Sequence, residues 1–487
     1  MRRALDRLSH ETFDVLIVGG GITGICVARD AARRGLKVAL VERGDFAAAT
    51  SAHNSKLIHG GLRYLRNFEL GLVRESLRER RIWQRVAPHL VHPLPFLVPL
   101  FGGGTKARAT LAAGLTLYDV LSFDRGWLDD PKQRLPGHSW LSAADARTRE
   151  PILDRPNLEG AFLYYDAQMV SPERLALECL MDADANGAAI ANYVEAGRLL
   201  LRGGRVEGAS VRDTMGDAAF DVRAKTTLVA AGPWADIFLA HAVNRTPSHK
   251  LLRSKGIHVL VPPLTREFAL TMATEHGHFF VLPWRGHTLL GTTDTAFTGD
   301  PDKVGVDERD IADFFAFINT HLPNAALSRD KVEFFYAGLR PLVDDGSGDT
   351  YGASRRAELV DHGKDDKLDG LFSAIGGKWT TSRHLAQQVV DRLVEKLGIQ
   401  ARKCDTATAT LPARVADVQG AIRDEMALTL EDVVMRRTDL GVFGPPPQGA
   451  LDGVSRQMAS ALGWSEDKRM AEIAALAHLY RTQGSPA

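Results

Sequence analysis

An apolar run from Val15 to Val18 predicts a buried strand. Glycines follow at Gly19, Gly21 and Gly24. A helical pattern then extends from about Ile22 to Arg34 and closes at Gly35. A second apolar run, Val38 to Val41, stops at Glu42. Strand, G-x-G-x-x-G turn, helix, strand and acid form a βαβ unit suited to a dinucleotide. Gly19 permits a tight turn, Gly21 lets the backbone approach a pyrophosphate, and Gly24 lets the helix pack close to the strand. The helix start offers unpaired N–H groups and partial positive charge to phosphate. Glu42 suits the two hydroxyls of an adenosine ribose and repels a 2′-phosphate. The motif by itself leaves NAD and FAD both open.

Further along, Leu70, Val73 and Leu77 mark the apolar face of a helix from about Leu70 to Pro88. Arg74, Arg78, Arg81 and Arg85 form a stripe broken by Glu75 and Glu79, which reads as a solvated face, with contact to phosphate or an anionic membrane as the alternative. Pro88 to Phe123 joins a proline-studded apolar run, a glycine loop with Lys106 and Arg108, and a short apolar helix. This stretch fits either core plus a hairpin loop or a surface that dips into a membrane interface. Gly160–Tyr165 predicts a strand, and Ser171 caps a helix with Pro172 at its first position. Leu228–Ala231 ends in Gly232-Pro233-Trp234, a second strand end aimed at the same crevice. Residues 250–300 read as strands of a second sheet, with Lys255 and His258 in KGIHVLV. His276 and His278 share one face and read as structural. A helix is expected over Asp307–His321. Arg340 follows a strand and a glycine, and Arg355 and Arg356 come shortly after. A further strand runs into Gly376-Gly377-Lys378 and a long helix, and the last 85 or so residues are mostly helical.

At 487 residues the chain has room for two or three domains. Sixty basic and sixty acidic side chains balance, so no global charge points to nucleic acid. Cys26, Cys179 and Cys404 are scattered, with no C-x-x-C, so neither a disulfide framework nor a metal site is expected. The start, MRRALDRLSHETF, has no apolar signal core, and no run of about 20 apolar residues follows.

IVGGGITGICVARDAARRG, SKLIHGGLRYL, LRPL and GGKWTTSRHLA together resemble the FAD-dependent glycerol-3-phosphate dehydrogenases over nearly the whole chain. The resemblance implies an α/β fold with a discontinuous Rossmann-like FAD domain of the glutathione-reductase type, over 1–75, 155–240 and 340–398. An inserted mixed β-sheet substrate domain would take 76–154 and 241–339, and a helical C-terminal domain 399–487. It implies FAD as cofactor and oxidation of sn-glycerol 3-phosphate to dihydroxyacetone phosphate. Hydride would pass to flavin N5 and electrons on to a quinone. Cofactor contacts are expected at Gly19, Gly21, Gly24 and Glu42, and at Thr50, Ser51, Lys56, Leu57, His59 and Gly60. The later turns add Gly232, Gly377, Trp379 and Thr380.

A phosphate ester calls for guanidinium and ammonium groups. Arg63, Arg340, Arg355 and Lys378 follow glycines or strand ends and are the expected substrate cations, with Tyr64 beside them. Arg340 and Lys378 would also stabilise a developing alkoxide. The hydroxyl proton needs a base; His258 holds that position in the family, and His59 is its rival. The reading places the protein in the cytoplasm or peripherally on the cytoplasmic face of the inner membrane, against an anionic surface. Oligomeric state stays open, a homodimer included. One alternative is a flavin oxidase of the same fold using O2 or another hydroxy or amino acid. Another is a degenerate FAD-binding paralogue, because Ser382 stands where the family commonly has tyrosine. Ala52, His53 and Asn54 are likewise less typical than small serines.

Overall fold

The computed structural model describes residues 1–244, 250–275, 277–343, 357–414 and 417–484. The first apolar run forms β1 (Thr12–Val18), followed by α1 (Ile22–Arg33) and β2 (Val38–Val41). Next come α2 (Leu70–Val86), β3 (Val91–Phe101), α3 (Gly104–Leu121) and β4 (Leu158–Met169). A hairpin of Val194–Arg202 and Arg205–Asp213 feeds β5 (Ala219–Val229). β6 (Leu251–Val261), β7 (Phe334–Val343), β8 (Leu371–Gly376) and α4 (Ser382–Leu397) complete the parts that build the site.

The first sheet runs in the order Ala357–Asp361, β8, β5, β1, β2, Ala189–Ala191. All but the first of these strands are parallel. Parallel strands are covered on both faces and therefore read as unbroken apolar runs. Val15 and Ile17 enter the core beneath α1, while Leu16 and Val18 enter the core on the opposite face. α1 packs against both α4 and the helix Pro172–Ala185. Ser171 caps that helix by accepting from the Arg174 N–H at 3.1 Å.

The second sheet has ten strands, in the order Thr295–Ala296, β6, His287–Gly291, Gly277–Trp284, Ala269–Thr274, β3, β4, Leu57–Ile58. β7 joins it through β6, and Ser139–Ser142 joins through β4. The proline-studded run is therefore a strand: β3 pairs with β4 from Val91 to Phe101. β4 belongs to this sheet, whereas the boundary at 155 grouped it with the first. A strand buried on both faces carries no alternation to say which sheet it joins.

α2 also departs from its predicted surface. Arg74 and Arg81 both reach Asp124, and Arg80 is buried against Asp166. Leu70 is exposed, while Val73 and Leu77 are buried. The C-terminal helices Val418–Asp424, Gln448–Leu462 and Glu466–Ala477 pack around Leu430, Val434, Leu451 and Met458. Among the described residues no helix is long and apolar enough to cross a membrane, and no side-chain cluster has metal-ligand character.

A Cβ on Gly24 would lie 2.0 Å from the Gly19 carbonyl oxygen and 3.2 Å from Ile17 Cγ2. Gly24→Ala must push α1 off β1, so it is expected to cost about 1–3 kcal/mol, as overpacking does. Thermal melting of the apoprotein reads this; an unchanged midpoint would contradict it.

Candidate active site

β1, β2, β5 and β8 end at one cavity of about 1630 Å³. In open parallel sheets this is the end where ligands collect, because the following turns present main-chain amides. The turns here are Gly19–Ile22, Glu42–Asp45, Ala230–Trp234 and Gly376–Thr380. The second sheet supplies further wall, including Tyr164, His258, Thr271, Phe280 and Arg340.

At the β2 end, the Glu42 carboxylate accepts from the Gly20 N–H at 2.6 Å and the Gly44 N–H at 2.9 Å. Burial pushes its pKa up, and the two amides oppose that. A carboxylate has about four acceptor sites, which leaves room for a ribose diol. Gly19 has φ +116°, and a Cβ there would lie 2.6 Å from the Ala230 carbonyl oxygen. Gly21 lies on the cavity wall at the start of α1, where the Ile22 N–H donates to Ser51 Oγ at 2.8 Å. Thr50 Oγ1 donates to the Leu339 carbonyl at 2.7 Å, and Trp379 Nε1 donates to the Ser51 carbonyl at 3.0 Å. Those two bonds tie the loop to both sheets. Leu57, Gly232, Gly377 and Thr380 also line the cavity.

Lys378, Arg63, Tyr64 and His59 form a cationic group farther along the wall. Among the described residues Lys378 Nζ has no hydrogen-bond partner, and it lies 4.6 Å from the centre of the Tyr64 ring. The Arg63 guanidinium sits over the same ring at 5.1 Å. Burial lowers the Lys378 pKa, while Tyr64, Glu75 and Asp166 pull it back up. A buried ammonium without an acceptor is a receptor for an anion. Burial, then Lys378 and Arg63, push the His59 imidazole well below the usual histidine range. The His59 main-chain N–H donates to Thr380 Oγ1 at 3.1 Å, locking the LIHGG turn to the GGKWT turn.

His258 stacks on Tyr336 with ring centres 5.1 Å apart. Its Nε2 lies 2.8 Å from Ser55 Oγ, and its Nδ1 has no partner among the described residues. Burial, then Arg340 and Lys56, hold its pKa far below the ordinary value, so the ring is neutral at pH 7. Arg340 donates to Ser254 Oγ at 3.0 Å, to Thr292 Oγ1 at 2.7 Å and to the Thr293 carbonyl at 3.1 Å. Its guanidinium is thus held in one orientation.

Three expected contact residues do not line the cavity. Gly24 is the helix-packing glycine described above. The Lys56 ammonium is buried against Glu173 at 3.0 Å and the Ala52 carbonyl at 2.7 Å. Gly60 is wedged under Tyr118, and its N–H donates to Tyr118 Oη at 3.0 Å and Asp166 Oδ1 at 3.2 Å. Arg355, Arg356 and His276 lie outside the described residues. Ser382 is buried, and its hydroxyl donates to the Trp379 carbonyl at 2.8 Å rather than facing the cavity. Ser382 is therefore not part of the cavity wall.

The sequence reading missed Ser55, Tyr164 and Thr271 and took His278 as structural, yet all four lie on the cavity wall. His278 and Phe280 are two apart on one strand, and that alternation was the available signal.

His53 also lines the cavity, and burial followed by Lys56 lowers its pKa from 6.5 to about 4. Between those values the unfolded chain binds more protons than the folded one. The stability His53 contributes is present above pH 6.5 and is lost as pH falls through about 4. His53→Gln should flatten the fall in apoprotein melting temperature between pH 6.5 and 4. An unaltered pH slope would count against a neutral, buried His53.

The lining fits FAD: an acceptor at Glu42, a glycine cradle at the start of α1, and an unpartnered ammonium at Lys378. Comparison with known proteins agrees. Residues 14–392 match the family described as FAD dependent oxidoreductase, and residues 362–469 match the C-terminal domain of alpha-glycerophosphate oxidase. A glycerol-3-phosphate dehydrogenase of Synechocystis sp. is 36% identical, over 85% of this chain and 76% of that protein. One from Mycobacterium leprae is 37% identical, over 85% of this chain and 66% of its own length. An alpha-glycerophosphate oxidase of Streptococcus pyogenes serotype M1 is 31% identical, over 95% of this chain and 74% of that protein. The glycerol-3-phosphate dehydrogenase of Bacillus halodurans, solved in complex with FAD, superposes with TM-score 0.77 at 25% identity, covering 98% of this chain and 96% of that one. This chain belongs to the FAD-dependent glycerol-3-phosphate dehydrogenase family, within the FAD dependent oxidoreductases.

Proposed function

We propose that the protein oxidises sn-glycerol 3-phosphate to dihydroxyacetone phosphate. The observation that carries this is the Lys378 ammonium, buried beside Arg63 and Tyr64 with no hydrogen-bond partner among the described residues. A phosphate dianion fits such a group far better than a neutral polyol does. The names of the relatives support the same substrate. The first sheet, with α1 and α4, serves as the FAD domain, and the second sheet as the substrate domain. Bound FAD supplies the hydride acceptor. Lys378 and Arg63 bind the phosphate, and Tyr64 supports both. The neutral His258 ring takes the hydroxyl proton, with Ser55 Oγ 2.8 Å from its Nε2 orienting the ring. Arg340 lies next to His258 and stabilises the alkoxide that forms as the proton leaves.

We further propose a quinone acceptor reached at a membrane surface, on the cytoplasmic face. The apolar end of the cavity is bounded by Leu100, Phe101 and Leu111, the last from α3. Leu117 and Val120 of α3, with Phe123 and Trp127 just beyond, are exposed. Within the stretch expected to dip into a membrane interface, Phe101 itself is covered by the Arg155 guanidinium at 4.6 Å. Lys106 and Arg108, also exposed, add basic charge for anionic lipid. The oxidase relative makes oxygen the rival acceptor.

Anaerobic mixing with glycerol 3-phosphate should bleach the oxidised flavin band; no bleaching with FAD bound would sink the proposed reaction. Lys378→Met should raise KM for glycerol 3-phosphate by about tenfold to a hundredfold, from the loss of about 1.5–3 kcal/mol of charged hydrogen bonding. Turnover with a soluble quinone and little peroxide supports the quinone, and steady peroxide formation without it supports oxygen. Co-sedimentation with anionic liposomes at low salt should fall for Val120→Ser with Trp127→Ser; no binding by the unaltered protein would refute the membrane surface.

A further inference from the structure

Asp45 lies three residues after Glu42, in the turn at the end of β2, and its carboxylate is fully buried. Its partners come from the C-terminal region. Arg437 bonds both of its oxygens, and Arg436 adds a bond from Nε. Asn192 donates to Oδ1 at 3.1 Å. Burial alone would raise the pKa of this carboxyl; Arg437 and Arg436 outweigh it and hold the group ionised.

The two arginines are themselves braced. They sit in a π-helical turn, Asp432–Arg437, a shape uncommon in proteins and concentrated at functional sites. Arg436 also reaches Asp432 at 2.8 Å, and Asp432 accepts from the amides of Leu428 and Thr429 and from Tyr193 Oη. Arg437 donates to the Glu425 carbonyl, and the Glu425 side chain makes two bonds to Arg174. Three buried acids, Asp45, Asp432 and Glu425, thus face three buried arginines, Arg174, Arg436 and Arg437. Apolar side chains would join two surfaces at less desolvation cost. Ion pairs with this many directed bonds specify one geometry.

That geometry is set on a turn with two functions. Gly44 gives its N–H to the Glu42 carboxylate at 2.9 Å, and its carbonyl accepts from the Tyr193 N–H at 3.0 Å. The next residue, Asp45, is the one the arginines hold. Glu42 faces the cavity and Asp45 faces the C-terminal region across a single short turn.

We propose that the C-terminal region clamps the cofactor turn: Arg436 and Arg437, acting through Asp45, hold Glu42–Phe46 in the shape that receives the adenosine end of FAD, so that C-terminal docking and FAD affinity are coupled. The proposal rests on the placement of the adenosine ribose at Glu42. Arg436, Arg437 and Asp45 are positioning residues. Coupling of this kind is reciprocal: FAD tightens the docking of the C-terminal region as much as docking tightens FAD.

The test uses the full chain. Amide hydrogen exchange over residues 425–437 is followed with and without FAD, and FAD affinity is titrated by flavin fluorescence. FAD is expected to slow exchange there at least tenfold in the unaltered protein. Arg437→Lys, which keeps charge and loses the paired bonds, and Asp45→Asn should each weaken FAD binding at least tenfold and abolish the FAD-dependent protection. A purely architectural contact would leave exchange the same in both states, and that result overturns the proposal. So does FAD affinity within twofold of the unaltered protein in both variants. If neither variant folds, Tyr193→Phe removes the hydroxyl's bonds to Asp432 and Thr429; FAD-dependent protection must then be reduced, and full protection overturns the clamp. Glu42→Gln separates the premise from the inference: unchanged FAD affinity there removes the ribose placement, whereas an effect at Glu42 with none at Asp45 or Arg437 removes the clamp alone.

Discussion

The constraint that shapes the cavity is the contact between the start of α1 and the end of β1. Gly24 rests on the Gly19 carbonyl, and Gly19 in turn lies against Ala230 at the end of β5. No side chain fits at either position. The contact brings the start of α1 and the ends of β1 and β5 to the same point, so the cavity opens where their main-chain amides converge. The four glycine-bearing or acid-bearing turns that line it are consequences of that packing.

Charge within the cavity is arranged by burial. His59, His258 and His53 are each pushed toward the neutral form, mainly by desolvation and then by nearby cations. Positive charge is left to Lys378, Arg63 and Arg340. The division is useful chemically, because a neutral imidazole can accept a proton while fixed cations hold an anion. Asp166 anchors the arrangement from behind: it takes the Gly60 N–H, the Tyr118 hydroxyl and Arg80 at once.

Long buried ion pairs tie distant segments to this frame. Arg383 and Glu79 join α4 to α2, bridging the helix after the GGK turn and the helix after the LIHGG turn. The Trp83 indole adds a bond to the Thr380 carbonyl at 3.1 Å. The Asp45 cluster does the same for the C-terminal helices. These contacts span hundreds of residues in the chain, and nothing local in the sequence announces them.

What could be read from the chain is what depends on local spacing. Gly19, Gly21 and Gly24, the apolar runs around them, and the Ser171 cap act through neighbours a few residues away, and each occupies the place its spacing implied. The cluster of Arg63, Tyr64 and Lys378 was legible because its members sit in long, distinctive segments. Gly60 and Lys56 belong to the same segments, yet both turn away from the cavity, since spacing does not say which side of a turn faces inward. β4 joined the second sheet for a similar reason: an apolar strand carries no label for its partner. Whether an arginine is solvated, as the α2 stripe was expected to be, or paired, as Arg74 and Arg81 are, depends on where Asp124 comes to rest. Ser55 beside His258, and Asp45 beneath Arg437, exist as pairs only after the chain has closed on itself. Long-range packing decides those contacts, because a side chain's partners are set by the segments brought against it and not by its neighbours in sequence.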